Sequence, residues 1–147
     1  MTITTTARPE RKAVDLRVYV AGASADMEPA RRAMEQVREA GATITEDWIT
    51  AIERAGNANS LADEASARKA ACDDLKAVRT ADVVWITTPI ERAHGCGLWV
   101  ELGAALAYGV PVVISGPQSE RSIFASLCER YADADHAFAA VLRRGSQ

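Results

Sequence analysis

VVWIT (Val83–Thr87), GLWVELGAALAY (Gly97–Tyr108) and VPVVIS (Val110–Ser115) follow one another along the chain, and this stretch decides the fold. The first run is continuously apolar, as in a strand buried on both faces. In the second, Leu98, Leu102, Ala105 and Leu106 recur at helical spacing. The third is β-branched again, with Pro111 at its start, where a strand tolerates it. Strand, helix, strand in that order is the parallel crossover unit, which belongs to a sheet covered by helices on both faces.

The same alternation extends outward. LRVYVA (Leu16–Ala21) reads as a strand ending at Gly22. Ala30, Ala33, Met34, Val37 and Ala40 predict a helix stopped by Gly41, with Pro29 in its first turn and Ser24 or Asp26 as its cap. Thr43–Trp48 reads as a second strand. Ile49–Ser60 is ambiguous, with Gly56, Asn57 and Asn59 marking a loop. A long helix is expected over Leu61–Arg79, with Leu61, Ala65, Cys72 and Leu75 on its apolar face. Ile123–Cys128 reads as a short helix, Tyr131–Ala132 as the stub of a fifth strand, and a last helix runs from Asp135 to Arg144. The expected architecture is α/β: a flavodoxin-like or Rossmann-like, doubly wound parallel sheet of five strands in the order 2-1-3-4-5. It forms one domain over residues 13–147 behind a flexible polar tail, residues 1–12. In that order the chain reverses between the first and third strands, and ligands bind beyond the carboxyl ends of strands at such a point. Gly22–Asp26 and Thr88–Gly97 are therefore expected to meet there.

Composition narrows the function. The 147 residues are 48% hydrophobic and 25% charged, with a net charge of −3. That balance offers no broad footprint for a nucleic acid polymer, yet leaves room for a small anion on a local nest of N–H groups. Cys72, Cys96 and Cys128 are far apart, without a CxxC pair, and there are two histidines, His94 and His136. Neither a structural zinc site nor a disulfide framework is expected; reduced thiols fit a cytoplasmic protein. No run approaches the roughly 18 apolar residues of a membrane helix.

Glu101 is the first candidate for chemistry. With Gly97 near the helix start, it is expected in the first turn or so, where the helix dipole favours the ionised carboxylate. A carboxylate in a cleft can attack the anomeric carbon of a sugar; acidic residues in first turns also commonly do no more than stabilise the helix. Asp74, beside Asp73 on the long helix, can exchange a proton or hold a sugar, or simply be a solvated residue. Tyr19, inside the first strand, reads as a core tyrosine whose hydroxyl needs a partner, and a cleft carboxylate would serve. The backbone of Gly22, Ala23 and Ser24 is placed to cradle a phosphate or ribose hydroxyl, although the loop is not a GxGxxG motif. His94, Gly95 and Gly97 lie across the same cleft. Of Trp48, Trp85 and Trp99, Trp48 is the best placed to stack on a base, at the end of the second strand.

Four segments carry a resemblance. They are Val18-Tyr-Val-Ala-Gly22, Asp74-Leu75 with Ala81-Asp82-Val-Val, Gly97-Leu-Trp-Val-Glu101-Leu-Gly-Ala-Ala-Leu-Ala, and Val110-Pro-Val-Val. Together the chain resembles the nucleoside 2-deoxyribosyltransferase family and its relatives, the 2'-deoxynucleoside 5'-phosphate N-hydrolases. The resemblance implies Glu101 as nucleophile, Asp74 handling the proton at the leaving base or holding the sugar, and Tyr19 orienting the nucleophile. It implies a nucleoside or nucleotide substrate, no cofactor or metal, and a homodimer or larger assembly in which a neighbour closes the pocket. Six positions before the nucleophile the transferases often carry an aspartate and the phosphate hydrolases a serine; here stands Gly95. The first loop has Ala25 and Asp26 rather than an arginine, so neither branch's specificity set is complete.

The leading expectation is cleavage of an N-glycosidic bond, with the sugar passed to water or another base. Two others stand beside it. Trp99-Val-Glu101 is similar to the late glutamate of TIR-type NAD-cleaving domains. The altered pocket residues also suit a non-catalytic nucleotide-binding or sensing domain.

Overall fold

The computed structural model describes residues 15–56, 63–90 and 95–145; the expected tail and His94 lie outside them. Five strands form one parallel sheet in the order β2-β1-β3-β4-β5, as expected. They are β1 (Arg17–Ala21), β2 (Thr43–Ile44), β3 (Val83–Thr87), β4 (Val112–Ser115) and β5 (Glu129–Tyr131). The helices are α1 (Glu28–Glu39), α2 (Trp48–Ala55), α3 (Glu64–Thr80), α4 (Cys96–Ala107) and α5 (Ala134–Gly145), with a 3-10 turn at Ile123–Leu127.

Alternation along the strands sorts the core into two layers. Val18, Val20, Val83, Trp85 and Val113 pack with residues of α1 and α5, among them Ala30, Met34, Val37, Ala140 and Val141. Tyr19, Ala21, Val84, Ile86 and Ile114 face the other way, against Ala77 and Val78 of α3 and Leu98, Leu102 and Ala105 of α4. Trp85 belongs wholly to the first layer. Its Nε1 donates to Ser115 Oγ at 2.9 Å and its ring stacks on Phe138 with centroids 5.9 Å apart. Among the described residues, no helix is long and apolar enough to cross a membrane.

Four expectations change, each for a local reason. The second strand stops at Ile44 instead of running to Trp48. Asp47 caps a helix there, its side chain accepting from the Thr50 N–H at 3.0 Å, so Trp48 opens α2 and Gly56 closes it at φ 66°. Neither Ser24 nor Asp26 caps α1. Met27 holds that position without a side-chain bond, while Asp26 accepts from the Ile90 N–H at 2.8 Å.

The third change is the buried face of α3. Ala65, Cys72 and Leu75 are exposed and Leu61 lies outside the described residues; Ala77 and Val78 are the buried pair. The inward face is made of small residues, which lets α3 lie close to the sheet and brings Asp74 in with it. Finally, α4 begins at Cys96 behind Gly95, so Glu101 is its sixth residue, in the second turn rather than the first.

Candidate functional site

Tyr19 sits in the middle of β1 and is fully buried; alternation sends its ring to the α3 and α4 face. Its hydroxyl donates to Glu101 Oε1 of α4 at 2.7 Å. The tyrosine therefore has the carboxylate partner that its sequence position calls for. Burial, and next the charge of Glu101, push the phenol far above its ordinary range, so Tyr19 stays protonated and remains a donor.

Glu101 is half-buried and is the one charged residue of α4. Burial pushes its carboxyl up to about 8, against the Tyr19 hydrogen bond, which favours the ionised form; the charge of Asp74 adds to the rise. The expected help from the helix dipole is overturned here. That effect fades beyond the first turn, and desolvation dominates in the second. Asp74, half-buried on α3, is pushed up to about 6, by burial first, then by Glu46 and Asp73, with the Tyr19 hydroxyl pulling the other way. The two carboxyls are thus drawn together around one tyrosine, and their titration belongs to the pair. Through the neutral range the pair holds about one proton, and the higher of the two values puts it on Glu101 rather than on Asp74.

The two loops of the switch point meet as expected. Thr87 Oγ1 donates to the Ala21 carbonyl at 2.7 Å, and the Asp26–Ile90 bond ties the loop after β1 to the loop after β3. Gly22 fits where a Cβ would come within 2.7 Å of Ala30 and 3.3 Å of the Trp48 ring. Gly95 adopts φ 55°, and a Cβ there would come within 2.6 Å of Leu98 and 3.2 Å of Ala23. A serine or aspartate at this position would be strained and crowded, so the glycine is built into the joint between the loops. Ala23 is buried beneath the joint; Ser24 and Gly97 are exposed. Trp48 stands at the start of α2, not at a strand end. Its Nε1 donates to the Val20 carbonyl at 2.8 Å, so the surface left to a ligand is ring. His94 falls outside the described residues. Among those described, no group of three His, Cys, Asp or Glu side chains is arranged to hold a metal ion.

Sequence reasoning passed over Glu46. It follows Thr45, whose N–H bonds the Val18 carbonyl at 3.0 Å, and is half-buried just past the end of β2. Its charge adds to the upward push on Tyr19, Asp74 and Lys69. Reading the strand on to Trp48 hid it inside an element. A Thr-Glu-Asp run before a helical segment is a capping signal that would have ended the strand sooner.

Comparison with known proteins agrees with this layout. No curated protein matches the chain. Among solved structures it is similar to the solution structure of BlsM, with a TM-score of 0.60 and 17% identity over 90% of this chain and 91% of that one, a likeness of fold. A family model, nucleoside 2-deoxyribosyltransferase, matches residues 18–136, a span that holds Tyr19, Asp74, Glu101 and both loops. The chain belongs to the nucleoside 2-deoxyribosyltransferase family.

Proposed function

We propose that the protein cleaves the N-glycosidic bond of a nucleoside or nucleoside 5'-monophosphate, with Glu101 as nucleophile and Asp74 as proton donor. The observation that carries the reading is the 2.7 Å bond from buried Tyr19 to Glu101, beside a second carboxyl whose proton is also held up. A Glu101 oxygen attacks C1' as the C1'–N bond breaks. The bond's electron pair leaves with the base, which takes the Asp74 proton. Water or a second base then attacks C1', Asp74 recovers a proton from it, and the glycosyl ester to Glu101 opens. Positive charge developing at C1' draws the shared proton away from Glu101 and onto Asp74, where it is needed. Tyr19 keeps one Glu101 oxygen fixed while the other faces the sugar.

The loops supply the pocket in this reading. Gly22, Ala23, Ser24, Gly95 and Gly97 hold the sugar and its 5' end, and Trp48 offers its ring to the base. A 5'-phosphate is favoured over a bare hydroxyl because α1 starts without a side-chain cap and Asp26 is turned to Ile90, while the first-turn Glu28 is paired with Arg31 and Arg32. A second copy of the chain is proposed to pack on α4, whose outer face exposes Val100 and Tyr108, with Trp99 half-buried beside them.

The test is incubation with mixed nucleosides, their monophosphates and NAD, with free bases read by mass spectrometry. Nucleobase release that disappears in Glu101→Gln is expected. Release of nicotinamide alone would move the protein to NAD cleavage, and tight binding without release would make it a sensing domain.

A further inference from the structure

We propose that Gln118 is a positioning residue of the site: with Asp26 it clamps the Pro89–Ile90 peptide from opposite ends, and so fixes where the loop after β3 leaves the sheet and how far it stands from the loop after β1. The inference rests on the proposed reaction and deepens it by bringing in a third loop, the one after β4. The carbonyl of Pro89 and the N–H of Ile90 belong to one trans peptide and point in opposite directions. Gln118 Nε2 donates to that carbonyl at 2.9 Å, and Asp26 Oδ2 accepts from that N–H at 2.8 Å. A single peptide plane is thus tied on one side to the loop after β1 and on the other to the loop after β4.

The tie from β4 is itself held in place. The Gln118 N–H donates to Thr88 Oγ1 at 3.2 Å, and Thr88 Oγ1 in turn donates to the Ser115 carbonyl at 3.1 Å. Arg121 Nη1 donates to Gln118 Oε1 at 2.9 Å, which turns the amide so that its nitrogen faces Pro89. Gly116 lets the loop fold this closely over the end of β3: its φ is 114°, and a Cβ there would collide with Thr88 Oγ1. Apolar packing does not do the same work on the far side of the peptide, since the Ile90 side chain is 71% exposed. Hydrogen bonds therefore set the orientation of this peptide. Its position matters because the chain runs from here toward Gly95, whose left-handed backbone lies close against Ala23 and Leu98. The loop after β3 is pinned at both ends: at Gly95 by shape, and at the Pro89–Ile90 peptide by two side chains that pull in opposite directions. The balance of those two pulls sets the width of the pocket between the loops after β1 and β3.

Two measurements on the full chain test this. The first reads amide hydrogen exchange at Ile90 in the protein without ligand. Gln118→Glu keeps the size and the Arg121 partner but puts an acceptor where Pro89 needs a donor. Exchange at Ile90 is expected to quicken by about tenfold, although Gln118 does not touch that N–H. Gln118→Met, which removes the donor without adding charge, is expected to do the same. Asp26→Ala should quicken exchange at least as much, and Asp26→Asn, which keeps an acceptor, should restore most of the protection. The second measurement separates KM from kcat on a nucleoside monophosphate. Gln118→Glu and Asp26→Ala are each expected to raise KM by about five- to tenfold and to change kcat by less than about threefold, because the Tyr19–Glu101 bond is left intact. The double variant is expected to raise KM little more than either single one, since both ties act on one peptide. Unchanged exchange at Ile90 in both Gln118 variants, a fall in kcat with KM unmoved, or KM effects that multiply in the double variant overturns the inference. A protein that releases no base at all overturns the reaction instead, and exchange at Ile90 still decides whether Gln118 holds the peptide.

Discussion

The two helices that bring carboxylates to the site are built on opposite plans. α4 is apolar almost throughout, CGLWVELGAALA, and Glu101 is its single charge. α3, EASARKAACDDLKAVRT, is dense with charges, and Asp74 is one acid among several. A carboxylate on an apolar helix has to be accounted for, since its burial costs free energy unless something uses it. One on a polar helix hides among solvated neighbours until the helix is seen to turn it inward. The same functional group is therefore conspicuous in one sequence context and silent in the other.

The comparison breaks first on catalysis. If α4 carries the nucleophile, Glu101→Gln lowers kcat by about a thousandfold or more, since the covalent route is gone. Asp74→Asn removes only proton delivery, and a loss of about a hundredfold is expected for ordinary bases. Leaving groups that need no proton should recover most of the Asp74→Asn loss and none of the Glu101→Gln loss. Steady-state rates on a series of leaving groups read both. Equal sensitivity of the two variants to the leaving group would mean that the helices do not divide the work.

A smaller effect comes from Tyr19, which touches both halves. In the proposed reaction, both carboxyls are expected to hold protons below about 6, leaving no carboxylate to attack, and both to be ionised above about 8, leaving no acid for the base. Activity is expected to peak between these limits. Tyr19→Phe removes a donor that favours the ionised forms, so both carboxyls rise and both limbs of the kcat/KM profile move to higher pH. At the optimum a loss of about tenfold is expected, that of one hydrogen bond to a charged group. A profile that drops without moving would show that the hydroxyl orients Glu101 and leaves its proton alone.

Ser24→Asp sharpens the loop side of the site. It sets a carboxylate at the exposed residue ahead of α1, where the 5'-phosphate is proposed to lie. Monophosphate kcat/KM is expected to fall several-fold more than that of the matching nucleoside. Equal losses would remove the phosphate from this loop.

The fold was legible because it rests on strong runs. LRVYVA, VVWIT and VPVVIS could hardly be anything but buried strands, and the helices between them fixed the topology. β2 was not legible at its end, because an edge strand of two residues leaves too little pattern to weigh against a cap at Asp47. That error hid Glu46. Tyr19 and Glu101 could be named from the sequence, since each is a polar group in an apolar run; the bond between them became visible only once β1 and α4 were placed face to face. Asp74 was named by resemblance, while the residues around it pointed to the wrong face.

That misread face yields the smallest and cleanest test. Helical periodicity gave the inward side of α3 to its largest apolar residue, Leu75, whereas the structure gives it to Val78, with Leu75 left 37% exposed and Val78 at 0%. Burial, not side-chain size, sets the cost of truncation. Val78→Ala loses buried methyls and leaves a gap between α3 and the sheet, worth about 2 kcal/mol, from which the better helix propensity of alanine returns a few tenths. Leu75→Ala loses contacts already half in water, and less than about 1 kcal/mol is expected. In a domain of this length that difference should separate the two melting temperatures by about 3 °C or more. The reverse order would turn α3 by one residue, about 100°, and carry Asp74 away from Tyr19. A measurement of stability alone thus bears on whether the second carboxylate faces the site.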